Sequence, residues 1–243
     1  MTTYVRPRPL VLGRRRIMQA ALTYLALSAI AVTTMLPFFW MLSSSLKERA
    51  LIFAYPPQWI PNPVVFSNYI EAWNAIPFAR FIQNTLQIAF LSMAGQLVFA
   101  SLAGYGFARF QFPLKSLLFS MLLAVMMVPS TVNVVPRFLI FSRLGWLNTP
   151  LPLVVPSIFS STFGTFLFRQ HMMAIPKELE DAARIDGAGP FGIYWRVFLP
   201  LCKPAAAVLG TFTFIGQWNS FFEPLVYLTD VEKMTINVGL AFF

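Results

Sequence analysis

The polar stretch Glu180-Asp181-Ala182-Ala183-Arg184-Ile185-Asp186-Gly187-Ala188-Gly189, continuing Pro190-Phe191-Gly192-Ile193-Tyr194-Trp195-Arg196-Val197-Phe198-Leu199-Pro200, interrupts long apolar runs. Ile175-Pro176 just before it predicts the start of a short helix, because proline is tolerated in a first helical turn, where its missing donor has no partner anyway. Glu178, Glu180 and Asp181 fall early in that helix, where carboxylates complement the positive helix end. Gly187 can take the left-handed conformation that stops it. Pro190 is placed to open a second helix. There Phe191, Tyr194, Trp195 and Phe198 recur at helical spacing to give an aromatic face beside Arg196, before Leu199-Pro200 turns the chain back. The product is a bent, amphipathic helical knuckle.

Outward from the knuckle, composition sets the class. The chain is 57% hydrophobic and only 11% charged, with mean hydropathy +0.66, against the roughly 25% charged share of soluble domains. This is the composition of a membrane protein. The net charge of +9 suggests nucleic acid in a soluble chain, but here the basic residues sit between apolar runs and read as topology signals. One cysteine, Cys202, excludes an internal disulfide framework, and one histidine, His171, lacks metal-ligand spacing. No Gly-rich phosphate loop ending in Lys is present, so the sequence carries no nucleotide-binding motif of that kind.

A helix needs about 20 apolar residues to span a bilayer. Five runs qualify: Ile17 to Leu46, Phe81 to Ala108, one from Ser116 that meets Pro129 and Pro136, one over about Leu151–Phe168, and one over about Ala205–Phe222. The first exceeds the roughly 7 to 15 residues of a signal-peptide core, which disfavours a cleaved or twin-arginine leader around Arg14-Arg15-Arg16. Lys and Arg are retained on the cytoplasmic side. An inside N-terminus places the Arg14–Arg16 cluster and the knuckle inside, and leaves Lys47, Arg49, Arg80, Arg137, Arg143 and Lys233 outside. The organisation expected is a basic segment over 1–16, a transmembrane domain over 17–228 with a loop at 175–203, and an outer segment over 229–243.

Lys47 to Arg80 carries Pro56, Pro57, Pro61, Pro63 and Pro77 and reads as an outer loop. Trp59, Trp73, Tyr55 and Tyr69 suit interfacial anchoring, with contact to an external protein as the alternative. Ser67-Asn68 is placed to cap a short helix through Tyr69–Trp73. In the second run, Ser92, Gly95, Ser101, Ala103, Gly104 and Gly106 form a small-residue strip that permits close helix packing. Leu144–Thr149 reads as an outer turn with Trp146 as an anchor, and Pro150 and Pro152 suit the start of the next helix.

The spacing Asp181-Ala182-Ala183, Gly187, then Val197, Leu199 and Pro200 resembles the cytoplasmic coupling loop of binding-protein-dependent ABC importer permeases. Asp181 stands where that pattern usually has Glu, and Val197 where it has Ile. The likeness extends in order through Leu36-Pro37-Phe38-Phe39-Trp40-Met41, Ala103–Phe110, Phe168-Arg169-Gln170 and Thr211–Asn219, and is strongest toward carbohydrate-importer permeases like the shorter maltose permease subunit. Glycerol-phosphate importers share it.

That resemblance implies an all-α polytopic bundle of the type I ABC importer permease kind, in a bacterial or archaeal cell membrane. It implies ATP-driven import with a sister permease, ABC ATPase subunits and an extracytoplasmic solute-binding protein as partners. ATP and Mg sit on the ATPase, this chain binds no cofactor and is no enzyme, and no nucleic acid is involved. The coupling residues are Glu180, Asp181, Ala182, Ala183, Arg184, Asp186, Gly187, Leu199 and Pro200. Glu180 and Asp181 are expected to meet basic groups of the ATPase, Ala182 and Ala183 to allow close approach, and Arg184 and Asp186 to shape the loop. Arg109 is expected at the cytoplasmic surface.

Gln217, Trp218, Asn219 and Glu223 mix hydrogen-bonding groups with an aromatic face and are the substrate-pathway candidates, with helix packing as their alternative role. Family members continue past an outer loop corresponding to 229–237 into a sixth span. About five of six spans are therefore expected here, with poor assembly as the consequence. A secondary transporter or channel is the different-class alternative. It would need ion or proton sites and repeated broken helices, and it would leave the knuckle without a purpose.

Overall fold

A computed structural model describes residues 14–242; Arg6, Arg8 and the final Phe243 lie outside the described residues. Every regular element among them is helical. The chain divides into two compact units, Met1–Ala72 and Trp73–Phe243.

The first unit is built on α1 (Arg14–Ser45), a helix long and apolar enough to cross a membrane. The proline-rich stretch behind it folds as irregular chain. Trp40 meets Trp59 edge-on at 5.2 Å between ring centroids, and the Ser45 and Tyr69 hydroxyls lie 2.7 Å apart. Lys47 is buried with its ammonium 4.0 Å from the centre of the Trp40 ring, where the ring quadrupole replaces part of its hydration. Ser67 and Asn68 lie within α2 (Ser67–Ala75) rather than ahead of it. The Asn68 amide does not cap that helix; it donates to the carbonyls of Ser45 and Lys47 at 3.0 and 2.8 Å.

The second unit is organised around α3 (Phe78–Arg109). After it come α4 (Lys115–Val125), a 3-10 turn at Ser130–Asn133, α5 (Val134–Arg143), α6 (Leu151–Phe159) and α7 (Thr162–Met173). The knuckle comprises α8 (Lys177–Ile185), α9 (Pro190–Ile193), a π-helical turn at Tyr194–Phe198 and α10 (Leu199–Leu201). The chain ends through α11 (Lys203–Trp218), α12 (Phe222–Tyr227) and α13 (Ile236–Ala241). Helices α6, α7, α11 and α13 all pack on α3.

The small-residue strip explains that density of packing. Gly95 faces Ile158 and Gly104 faces Phe168 at distances no added methyl could share, while Ser92 and Ser101 are buried. Gly106 has open space around its Cα and takes no part.

By length and composition α1, α3 and the α6–α7 segment can cross a membrane, whereas Lys203–Trp218 reaches that length only together with Pro190–Leu201 of the knuckle, from which it is bent by 75°. Two expected spans are interrupted. The run from Ser116 gives only the short α4 before Pro129 and the 3-10 turn, and the fourth breaks at Ser160-Ser161 between α6 and α7. Pro156 deprives α6 of one donor, and its carbonyl accepts both the Ser160 N–H at 2.9 Å and the Ser160 hydroxyl at 2.6 Å. Non-helical backbone at membrane depth is tolerated where it lines a cavity, and both breaks do so here. Trp146 is no free anchor: it stacks on Phe141 at 5.7 Å and packs against the cluster containing Tyr227.

Candidate functional site

Two sites lie along α3, one at its C-terminal end and one near its middle. At the first, α8 follows Pro176 and ends at Gly187, whose φ of +82° is the left-handed conformation a glycine adopts without Cβ strain. The Gly187 and Ala188 amides donate back to the carbonyls of Arg184 and Ala183 at 3.0 and 2.9 Å, closing the helix end. The second arm does not present a single aromatic face. Tyr194 and Phe198 are buried with Ile193 in the core, whereas Phe191 and Trp195 are exposed. A π turn, wider than an α turn, splits the four rings between the two sides.

Glu180 is the chief correction within the loop. Its side chain is 4% exposed and is paired with Arg184 and with Arg109, the latter at 3.6 Å. A carboxylate so buried costs several kcal/mol of desolvation unless paired, and here two cations offset it. It is therefore not free to meet another subunit. Arg109 does not sit free at a surface either. One of its terminal nitrogens donates to the carbonyls of Met172 and Ile175 at 2.7 and 2.6 Å, and the guanidinium lies 4.5 Å from the centre of the Phe198 ring.

Asp181, Ala182 and Asp186 are exposed, Ala183 is half-buried against the core, and Arg184 spends its charge on Glu180. Leu199 is half-buried and Pro200 exposed in α10. Ile185, which sequence reasoning passed over, is 86% exposed. It stands with Phe191 and Trp195 among the large apolar side chains left open on the knuckle. A β-branched apolar residue in a polar helix was the available signal.

The second site is a cavity of about 510 Å³ between the two chain breaks, lined by Gln96, Asn133, Arg137, Ser160, Ser161, Thr162, Thr213 and Gln217 with Met126, Phe163, Leu209 and Phe212 among its apolar walls. Gln96 is its hub. The Gln96 amide donates to the Ser157 hydroxyl at 2.8 Å, and its carbonyl accepts from Ser161 at 3.1 Å and Thr213 at 2.9 Å. Gln217 donates to the same Ser157 hydroxyl at 3.1 Å.

Of the four expected pathway residues, Gln217 alone lines this cavity. Trp218 stacks on Phe214 at 5.9 Å, and Asn219 is exposed at the end of α11. Glu223 pairs with Arg137 at 3.4 Å, each about one-third exposed. Gln96, Ser157, Ser161 and Thr213 carried no sequence signal, since isolated polar residues in apolar runs converge only when the helices pack. The groove along α1, about 650 Å³, offers almost entirely apolar walls from Ala31 to Pro61 and few hydrogen-bonding groups.

Residues 96–242, covering both sites, match the family described as binding-protein-dependent transport system inner membrane components. The chain belongs to this permease family. The permease is 32% identical over 210 residues to the sn-glycerol-3-phosphate transport system permease protein UgpE of Yersinia enterocolitica, covering 84% of this chain and 74% of that one. It is 30% identical over 223 residues to the sulfoquinovosyl glycerol transport system permease protein SmoH of Agrobacterium fabrum, covering 91% and 78%.

In fold the permease is similar to a chain of a bacterial ABC transporter that imports the acidic polysaccharide alginate, with a TM-score of 0.82, 23% identity, and coverage of 97% and 82%. A second alginate transporter structure, in complex with a pentasaccharide-bound periplasmic protein, aligns with a TM-score of 0.63 at 17% identity. The permease is thus a transport component with an all-helical ABC importer fold. Among its described residues no group of three or more metal-ligating side chains occurs.

Proposed function

We propose that this permease forms half of the translocation pathway of an ATP-driven importer for a sugar or glycerol-phosphate type solute, and that the knuckle docks on a separate ATPase. The observation that carries this reading is the knuckle itself: a short helix braced internally by Glu180, Arg109 and Arg184, with Asp181, Ala182, Ile185, Phe191 and Trp195 left exposed. A rigid element with an apolar and acidic outer face suits a cleft on a partner. Movement of that partner then becomes movement of the attached helices. ATP hydrolysis belongs to the partner; this chain supplies shape and hydrogen bonds.

The N-terminus and the knuckle face the cytoplasm, in keeping with the distribution of Lys and Arg, and the membrane is the inner or plasma membrane of a prokaryote. The solute passes the Gln96 cavity. Its amide and hydroxyl groups suit solute hydroxyls, and Arg137 at its wall suits an anionic substituent. The relatives that carry glycerol phosphate and sulfoquinovosyl glycerol support that class. A sister permease completes the pathway, and an external binding protein delivers the solute, a reading supported by the alginate transporter's complex with an alginate pentasaccharide-bound periplasmic protein.

Purification of the tagged chain from native membranes in mild detergent tests this. Co-purification of an ATPase, a second permease and a binding protein is expected, with loss of the ATPase from Ala182→Trp. Recovery of the intact chain without any ATPase overturns the reading and reopens the channel or carrier alternative.

A further inference from the structure

Ser101, Tyr105 and Arg109 stand four residues apart along the C-terminal part of α3 and so form one stripe. Each grips a different part of the knuckle region. The Ser101 hydroxyl lies 2.7 Å from that of Tyr194, and the Tyr105 hydroxyl donates to the Pro190 carbonyl at 3.1 Å. Arg109 holds the Met172 and Ile175 carbonyls, the Glu180 carboxylate and the face of Phe198.

The last contact set is the most demanding. Met172 lies in the last turn of α7, at the negative helix end. Glu180 belongs to α8 and Phe198 to the returning arm. One guanidinium, 11% exposed, therefore ties α3, α7 and both arms of the knuckle at a single point. A planar fork with several fixed donors can do this; the compact ammonium of lysine cannot reproduce the geometry. Gln96, the hub of the cavity, lies on the same helix about 20 Å away at 1.5 Å rise per residue.

We infer that Arg109 is a positioning residue for energy coupling: it locks the knuckle to α3 so that displacement of α8 reaches the Gln96 cavity without slack. This rests on the docking role proposed for the knuckle. A residue that served stability alone would change how much complex forms. One that carries coupling changes how far the cavity responds once the complex has formed.

The test uses the whole complex with Ser160→Cys as a reporter on the cavity wall; native Cys202 is buried and serves as the internal blank. Maleimide labelling is measured with and without ATP plus vanadate. The otherwise unsubstituted complex is expected to change its labelling rate roughly tenfold on trapping, within the range of coupling between sites. R109Q and E180Q, in complexes that retain the ATPase, are expected to lose most of that change, and R109K to restore it only in part.

An undiminished ATP-dependent change in R109Q overturns the proposal. If R109Q does not assemble, E180Q decides by the same criterion, because it removes the charge pair and leaves the two carbonyl bonds of Arg109 in place. If neither variant assembles, Arg109 serves stability and the coupling role falls. Failure of the unsubstituted chain to bind an ATPase is a different result, and it removes the docking role as well.

Discussion

Gly104 lies directly beneath Phe168: a methyl added at Gly104 would sit 2.6 Å from the Phe168 Cβ and 2.9 Å from the Arg169 backbone nitrogen. Backbone cannot yield as a flexible side chain does, so α3 and α7 would have to separate. Overpacking of this kind costs about 1–3 kcal/mol. Gly104→Val is expected to lower the melting temperature and yield of the purified permease, whereas Gly106→Ala, which meets open space, leaves both nearly unchanged.

Gly187 poses the opposite problem, with room for a side chain but a φ of +82°. An L-residue there carries a left-handed penalty of about 1–2 kcal/mol. Gly187→Val is therefore expected to loosen the end of α8 and weaken retention of the ATPase during purification. Gly187→Asn is expected to do so less, because Asn tolerates this conformation.

Replacing Gln96 by Leu removes one amide that serves three hydroxyls. Ser161 and Thr213 lose their acceptor, at a cost of about 1–3 kcal/mol each where water cannot substitute, while Ser157 keeps its bond from Gln217. Solute uptake into proteoliposomes is expected to fall roughly tenfold or more, with ATPase retention unchanged. Wild-type uptake in Gln96→Leu would show that the solute takes another route.

Glu223→Gln breaks an ion pair whose members are each about one-third exposed. Such pairs contribute about 0–1 kcal/mol, so the melting temperature is expected to hold. The freed Arg137 charge on the cavity wall is expected to alter uptake of anionic solutes more than that of neutral ones, measured side by side.

The Asn148 amide donates to the Asp230 carboxylate, and the Asn148 carbonyl accepts from the backbone amides of Thr229 and Asp230. The Asn148 bond, and after it Lys233, hold the Asp230 carboxyl below its ordinary value of 3.8. Because the folded value is depressed, the clasp's contribution is present above 3.8 and is lost as pH falls through the folded value. Proteolysis of the 228–233 segment is expected to be independent of pH from neutral down to mildly acid conditions and to rise only below the ordinary value. Asp230→Asn should abolish that dependence.

The sequence by itself determined the membrane class, the helical fold and the knuckle, because each rests on local rules: apolar run length, proline at a helix start, and glycine at a positive φ. Pro176, Gly187 and Pro190 announced the elements they bound. Tertiary structure alone decided what the polar side chains do. Glu180 looked like a docking carboxylate until α3 brought Arg109 against it, and Trp218 and Asn219 looked like pathway residues until packing turned them from the cavity. Gln96, Ser157 and Thr213 lie on three different helices and Ser161 in the break between α6 and α7, and no periodicity along one segment records which residues of another will face it. Buried polar groups must find partners, and in this bundle those partners are distant in sequence.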